Sequence, residues 1–234
     1  MTHLEQELQN LKRDTTDMMK LVQSQLQKAH KSLHNFDKDI LLDVKHTEKR
    51  IDAYELKLSM DCENALALFS PVAVDLRFIL SVLKMVTSIE RLGDYAKSIV
   101  NLVGKFEQPV NQQLMANFRI LEMFEKCESM LEIIETAFET ENSTLARKTF
   151  LLDEEIDAIN KISETVLIEW IKNNPNDVSN TLTVFEIIKK LERFGDQLKN
   201  MTHEIIFHIE AKVIKHHKKQ IKQEKEALRS EEKI

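Results

Sequence analysis

Glu90-Arg91-Leu92-Gly93-Asp94 recurs 102 positions later as Glu192-Arg193-Phe194-Gly195-Asp196. At the same offset, the apolar Leu83 and Val86 answer to Phe185 and Ile188. In the helix before, Glu48-Lys49-Arg50-Ile51-Asp52 answers to Asp153-Glu154-Glu155-Ile156-Asp157, and Pro71 answers to Pro175. Self-similarity over so long an interval marks two copies of one supersecondary unit. A break from Gly104 to Pro109 falls between them, close to the middle of the 234 residues.

The unit is helical. The chain holds only three glycines and three prolines, where average usage gives about sixteen and twelve. Sheets, barrels and Rossmann units consume turn residues every few positions and are excluded. The remaining punctuation predicts six long helices: 3–34, 37–69, 71–103, 110–140, 143–173, and one from 178 running toward the tail. Ser70-Pro71 reads as the start of the third, with Ser as cap and Pro at the first helical position. Each helix carries an apolar stripe at 3.6-residue spacing. The predicted fold is all-α: two tandem, pseudo-symmetric antiparallel three-helix bundles over 1–106 and 107–211. A basic helical tail follows over 212–234.

Composition narrows the setting. The net charge of −6 gives no general attraction to nucleic acid. Cys62 and Cys127 stand in no metal-binding spacing and read as two reduced, semi-buried thiols. No secretory signal and no apolar run of membrane-spanning length is present, so a cytoplasmic protein is expected.

The acidic pairs hold the chemistry. Residues i and i+4 share a helix face about 5–6 Å apart, where like charges cost a few tenths of a kcal/mol. The glycine inside each ERxGD motif costs about 1 kcal/mol more than alanine would. Two of three glycines are placed there, so the neighbouring helix or a bound ion must come close to the backbone. One turn beyond Leu83–Val86 and Phe185–Ile188 lie Glu90 and Glu192, so the acidic pairs extend an apolar face. If pairs from adjacent helices meet, their repulsion forces uptake of protons or cations. Oxygen-only ligands suit Mg²⁺, Mn²⁺, Ca²⁺ or iron.

Phe69-Ser70-Pro71-Val72-Ala73-Val74-Asp75-Leu76-Arg77, with Ile89-Glu90-Arg91-Leu92-Gly93-Asp94 and its repeat, closely resembles the PhoU family of phosphate-signalling proteins. The resemblance spans roughly 10–210. It implies two three-helix bundles whose E/DxxxD motifs carry multinuclear clusters in some members, commonly of iron or zinc. The implied ligands are Glu48, Asp52, Glu90 and Asp94 in the first half, and Asp153, Asp157, Glu192 and Asp196 in the second. With the reading from the donor oxygens, the expected cofactors are iron, zinc, manganese or magnesium ions. The resemblance further implies a non-catalytic negative regulator that couples a phosphate ABC transporter ATPase to a sensor histidine kinase when phosphate is plentiful. It leaves a homodimer open and brings the protein to the membrane only through its partners. The second half carries no counterpart of Asp75-Leu76-Arg77, having Asn176-Asp177-Val178-Ser179-Asn180 in that region.

Other constellations weigh less. A metal-dependent helical enzyme and a metal-free helical adaptor are the alternatives. No histidine follows a glutamate at the Glu-x-x-His spacing of a ferritin-like site. His203 and His208 are five apart, too far round a helix to chelate one ion, and read as boundary or surface residues. Arg77, Arg91 and Arg193 suit either phosphate or neighbouring carboxylates, and Trp170 reads as a core plug. Lys212, Lys215, His216, His217, Lys218, Lys219 and Lys222 make the tail either a solvated helix end or a docking element for an acidic partner or anionic lipid.

Overall fold

In the computed structural model, residues 2–35, 37–106 and 109–213 are described. Their regular structure is wholly helical: α1 (His3–Ser32), α2 (Lys38–Phe69), α3 (Ala73–Val103), α4 (Gln112–Asn117), α5 (Ile120–Glu139), α6 (Ser143–Arg147), α7 (Thr149–Asn173) and α8 (Val178–Glu210). α1 begins with a reciprocal cap. Thr2 Oγ1 accepts from the Glu5 amide, and the Thr2 amide donates to Glu5 Oε2 at 2.7 Å.

Two of the six predicted helices are split. The stretch 110–140 breaks at Arg119, whose φ of 52° lets Phe118 and Ile120 both enter the core. The stretch 143–173 is interrupted at Lys148, where Asn142 caps the short α6 and Thr149 begins α7. Ser70 does not cap α3. It ends α2 in the left-handed region at φ 46°, and Val72 stands at the N-cap of α3. Ala211, at φ 57°, closes α8. Most of the expected helical tail, 214–234, lies outside the described residues.

α1, α2 and α3 pack on one another, and α5, α7 and α8 do the same with α6 against them. The two sets then pair through equivalent members, α1 with α5 and α3 with α8. The α3–α8 seam is the most extensive in the molecule. It runs antiparallel: Arg77 Nε donates to His208 O, Ser81 Oγ to Glu204 O, and further along Lys190 sits over the Tyr95 ring. One continuous apolar core therefore serves both halves, from Met18 and Leu26 through Val86 and Leu92 to Leu191 and Phe194. The α1–α5 contact is edged with charge, including Lys20–Glu135 at 3.5 Å and His30–Glu128 at 3.0 Å.

Cys62 and Cys127 are fully buried, beyond the semi-buried placement expected, and are free thiols. Burial pushes the Cys62 thiol up to about 12 and raises Cys127 as well. Trp170 packs against the core while remaining partly exposed, and its Nε1 has no hydrogen-bond partner among the described residues. No helix of the described residues is long and apolar enough to cross a membrane.

Candidate metal centre

The two ERxGD motifs sit in mid-helix on α3 and α8, and their glycines serve the neighbouring helix. A Cβ at Gly93 would meet Ile51 Cδ1 at 3.1 Å and Gln25 Oε1 at 3.3 Å; at Gly195 it would meet Ile156 Cδ1 at 3.3 Å. Of the two visitors the sequence allowed, the isoleucine of the preceding helix is the one present. Ile51 and Ile156 are the apolar residues inside the upstream E/DxxxD motifs. The side chain that fills each glycine notch thus fixes the register that brings the acidic pairs face to face.

In the first half, Glu48 and Asp52 on α2 face Glu90 and Asp94 on α3. Burial, followed by the charges of Asp94, Glu55 and Asp52, pushes Glu90 up to about 7. Burial also raises Glu48; Lys97 opposes that rise, while a hydrogen bond with the Asp94 carboxyl adds to it. In the second half, Asp153 and Asp157 on α7 face Glu192 and Asp196 on α8. Burial and then the charges of Asp196 and Asp157 raise Glu192. The depth pattern repeats: Glu48 is half-buried and Asp153 is 2 % exposed, whereas Asp52 and Asp157 face solvent. All eight predicted residues are therefore gathered into two acidic faces, four to each half.

Three participants escaped the sequence reading. Glu55 adds a fifth carboxylate to the first face, where the second has Asn160. Lys97 and Lys199 each reach across to the preceding helix. Lys97 Nζ donates to Glu48, and Lys199 Nζ donates to Asp153 Oδ2 at 2.8 Å and Asp196 Oδ1 at 3.1 Å. Burial works against the Lys199 charge, yet the two aspartates hold its ammonium above the usual range. Lys97 is likewise raised, chiefly by its bond to Glu48. These lysines obey the same 102-residue offset as the motifs, which is the signal that could have found them.

The donor set fits a hard cation in its chemistry: all oxygen, crowded with negative charge, and strained enough to lift glutamate protonation. Among the described residues, however, no three His, Cys, Asp or Glu side chains converge on one point as they stand. The ammonium groups of Lys97 and Lys199 occupy ground between the carboxylates.

The remaining candidates fall elsewhere. Arg91 and Arg193 are exposed beside their motif glutamates, and Arg77 is spent on the His208 carbonyl. His203 and His208 are buried, against the boundary or surface placement expected, because α8 is covered by α3, α5, α6 and α7 and has a wide buried arc. The His203 ring lies on Phe150, and His208 meets the edge of Phe78. Near His208, a cavity of about 360 Å³ opens among Leu8, Lys12, Asp75, Phe78 and Glu141.

The PhoU domain matches this chain twice, over 15–103 and 120–205. The chain is 26% identical to the phosphate-specific transport system accessory protein PhoU homolog of Deinococcus radiodurans over 202 residues, 86% of this chain and 94% of that one. It is 29% identical to the protein of that description from Borreliella burgdorferi, covering 83% and 89%. The fold superposes with a TM-score of 0.80 on the phosphate transport system regulatory protein PhoU of Streptococcus pneumoniae, at 25% identity, covering 90% of this chain and 99% of that one. PhoU from Pseudomonas aeruginosa gives 0.84 at 24% identity, covering 90% and 100%. With the domain matched across both halves, each bearing its glycine notch and acidic face, the chain belongs to the PhoU family.

Proposed function

We propose that this chain is a non-catalytic regulator of phosphate uptake and phosphate-starvation signalling. It couples a phosphate ABC transporter ATPase to a sensor histidine kinase and holds the kinase off when phosphate is plentiful. The observation that carries the reading is the match of both repeats to the PhoU domain, together with relatives named as accessory proteins of phosphate-specific transport. The site supports a binding role over a catalytic one. Its carboxylates lie on helix faces in two near-equivalent copies, with no nucleophile motif between them.

Each acidic face is a cation site in this reading. Glu48, Asp52, Glu90 and Asp94 would hold iron, zinc, manganese or magnesium ions in the first half, and Asp153, Asp157, Glu192 and Asp196 in the second. A bound cation supplies charge neutralisation that ties α2 to α3 and α7 to α8. Deleting the gene tests the regulatory role. Phosphate-starvation genes are expected to become active in high phosphate, and silence of those genes with unchanged uptake overturns the assignment.

A further inference from the structure

The geometry points to Lys97 and Lys199 as resident cations that compete with metal for the two acidic faces, so that a metal ion enters only as the lysine leaves. The inference rests on the cation-site reading above and adds what sets the occupancy of each site. Four observations carry it.

The arrangement occurs twice. Two lysines related by the repeat offset each reach the first acidic residue of the motif on the preceding helix, Glu48 in one half and Asp153 in the other. Chance placement of a solvated lysine does not produce matched cross-helix contacts in both copies.

The lysines engage the oxygens a metal would need. Asp153 and Asp196 each give one oxygen to Lys199, and Glu48 gives one to Lys97. A carboxylate oxygen turned to an ammonium offers fewer lone pairs, and a divalent ion beside that ammonium meets like charge at contact range.

Burial makes a counter-ion obligatory. Asp153 is 2 % exposed, and an ionised carboxylate at that depth requires a partner. Lys199 is one such partner, at 2.8 Å. The lysine side chains remain 28% and 32% exposed, so their flexible stems have an open path to solvent when a divalent ion takes over.

The other basic groups near the faces are engaged differently. Lys189 donates to Asn160 Oδ1 at 2.7 Å, and Arg91 and Arg193 are exposed. Among the described residues, the competition is thus assigned to one lysine per half. The first face, with Glu55 where the second has Asn160, holds one more carboxylate and takes a divalent ion more tightly once its lysine is gone.

The test titrates the full-length chain with Mn²⁺ alone, by calorimetry and by the spin-resonance signal of free Mn²⁺. Lys97→Met is expected to tighten Mn²⁺ binding in the first half at least about tenfold, the equivalent of one charge contact removed. Lys199→Met does the same in the second half, while Lys97→Arg, which keeps the charge, stays at the wild-type affinity. Lys97→Gln serves as a second neutral variant should Lys97→Met fail to fold, with circular dichroism as the check. Adding Glu90→Ala and Asp94→Ala to Lys97→Met is expected to abolish the gain. Retention of the gain would place the ion elsewhere and overturn the proposal. Equal binding by wild type, Lys97→Met and Lys97→Arg, lost on Glu90→Ala with Asp94→Ala, overturns the competition and leaves the cation sites standing. Absence of Mn²⁺ binding in every form overturns the cation sites and the competition together.

Discussion

Ile51 of α2 fills the notch that Gly93 leaves in α3, with its Cδ1 only 3.1 Å from where a Cβ would stand. Ile156 and Gly195 repeat the contact at 3.3 Å, but the notch at Gly93 is also closed from the α1 side by Gln25 Oε1 at 3.3 Å. Gln25 cannot easily yield, since its Nε2 donates to the Val44 carbonyl at 3.0 Å. Alanine at either site gains about 1 kcal/mol of helix propensity and then meets these neighbours. Gly93→Ala is therefore expected to be less stable than Gly195→Ala by about 1 kcal/mol, measured by urea unfolding. Equal stabilities would mean that Gln25 does not brace the notch.

With glycine so scarce, α8 ends on Ala211 in the left-handed region, at φ 57°. Residues with a Cβ occupy that region at a cost of about 1–2 kcal/mol, whereas glycine pays mainly in unfolded-chain entropy. Ala211→Gly should raise stability by about 0.5–1 kcal/mol. Thermal melting of the two proteins side by side checks it.

Arg147 grips Glu210 with two parallel bonds, 2.6 Å to Oε1 and 3.0 Å to Oε2, and that grip holds the Glu210 carboxyl down to about 2. An acid depressed on folding contributes its stability in full above its unfolded value, here 4.5, and loses it as pH falls toward 2. Arg147→Ala should cost about 1–2 kcal/mol at pH 7. The difference from wild type should shrink between pH 4.5 and 2 in a series of denaturant titrations.

Cys127 is enclosed by the core with its Sγ directed at the Leu191 carbonyl, 3.6 Å away, and Cys62 is equally inaccessible. Buried thiols whose pKa is raised supply almost no thiolate near neutrality. A disulfide reagent should therefore modify neither cysteine in the native protein, and both should react at the rate of unfolding once denaturant is added. Rapid native labelling of one thiol would show that its end of the core opens locally.

Much of the architecture was legible because duplication repeats a signal. Pro71, the Gly104–Pro109 break and the Asn173–Asp177 loop stand close to helix ends, and the paired motifs located the acidic faces. The breaks at Arg119 and Lys148 were hidden, since neither residue type carries turn chemistry; core packing of Phe118 and Ile120 overrides local preference there. Lys97 and Lys199 were missed for a related reason. A lysine in a helix reads as solvated until the opposing helix is placed, and its partner lies 49 or 46 residues back along the chain. The burial of His203 and His208 is likewise a property of how many helices surround α8, which periodicity on one helix does not encode.

The seam between α3 and α8 joins two elements that the repeat makes equivalent, and α1 meets its own counterpart α5 in the same way. Such self-complementary pairing is the form of a two-fold dimer interface, here written into one polypeptide. Either half cut free would bare a broad oily flank and would seek another copy of itself to cover it. The molecule is best regarded as a fused pair of identical-fold partners, whose linker saves the cost of finding each other while each partner evolves its own acidic face.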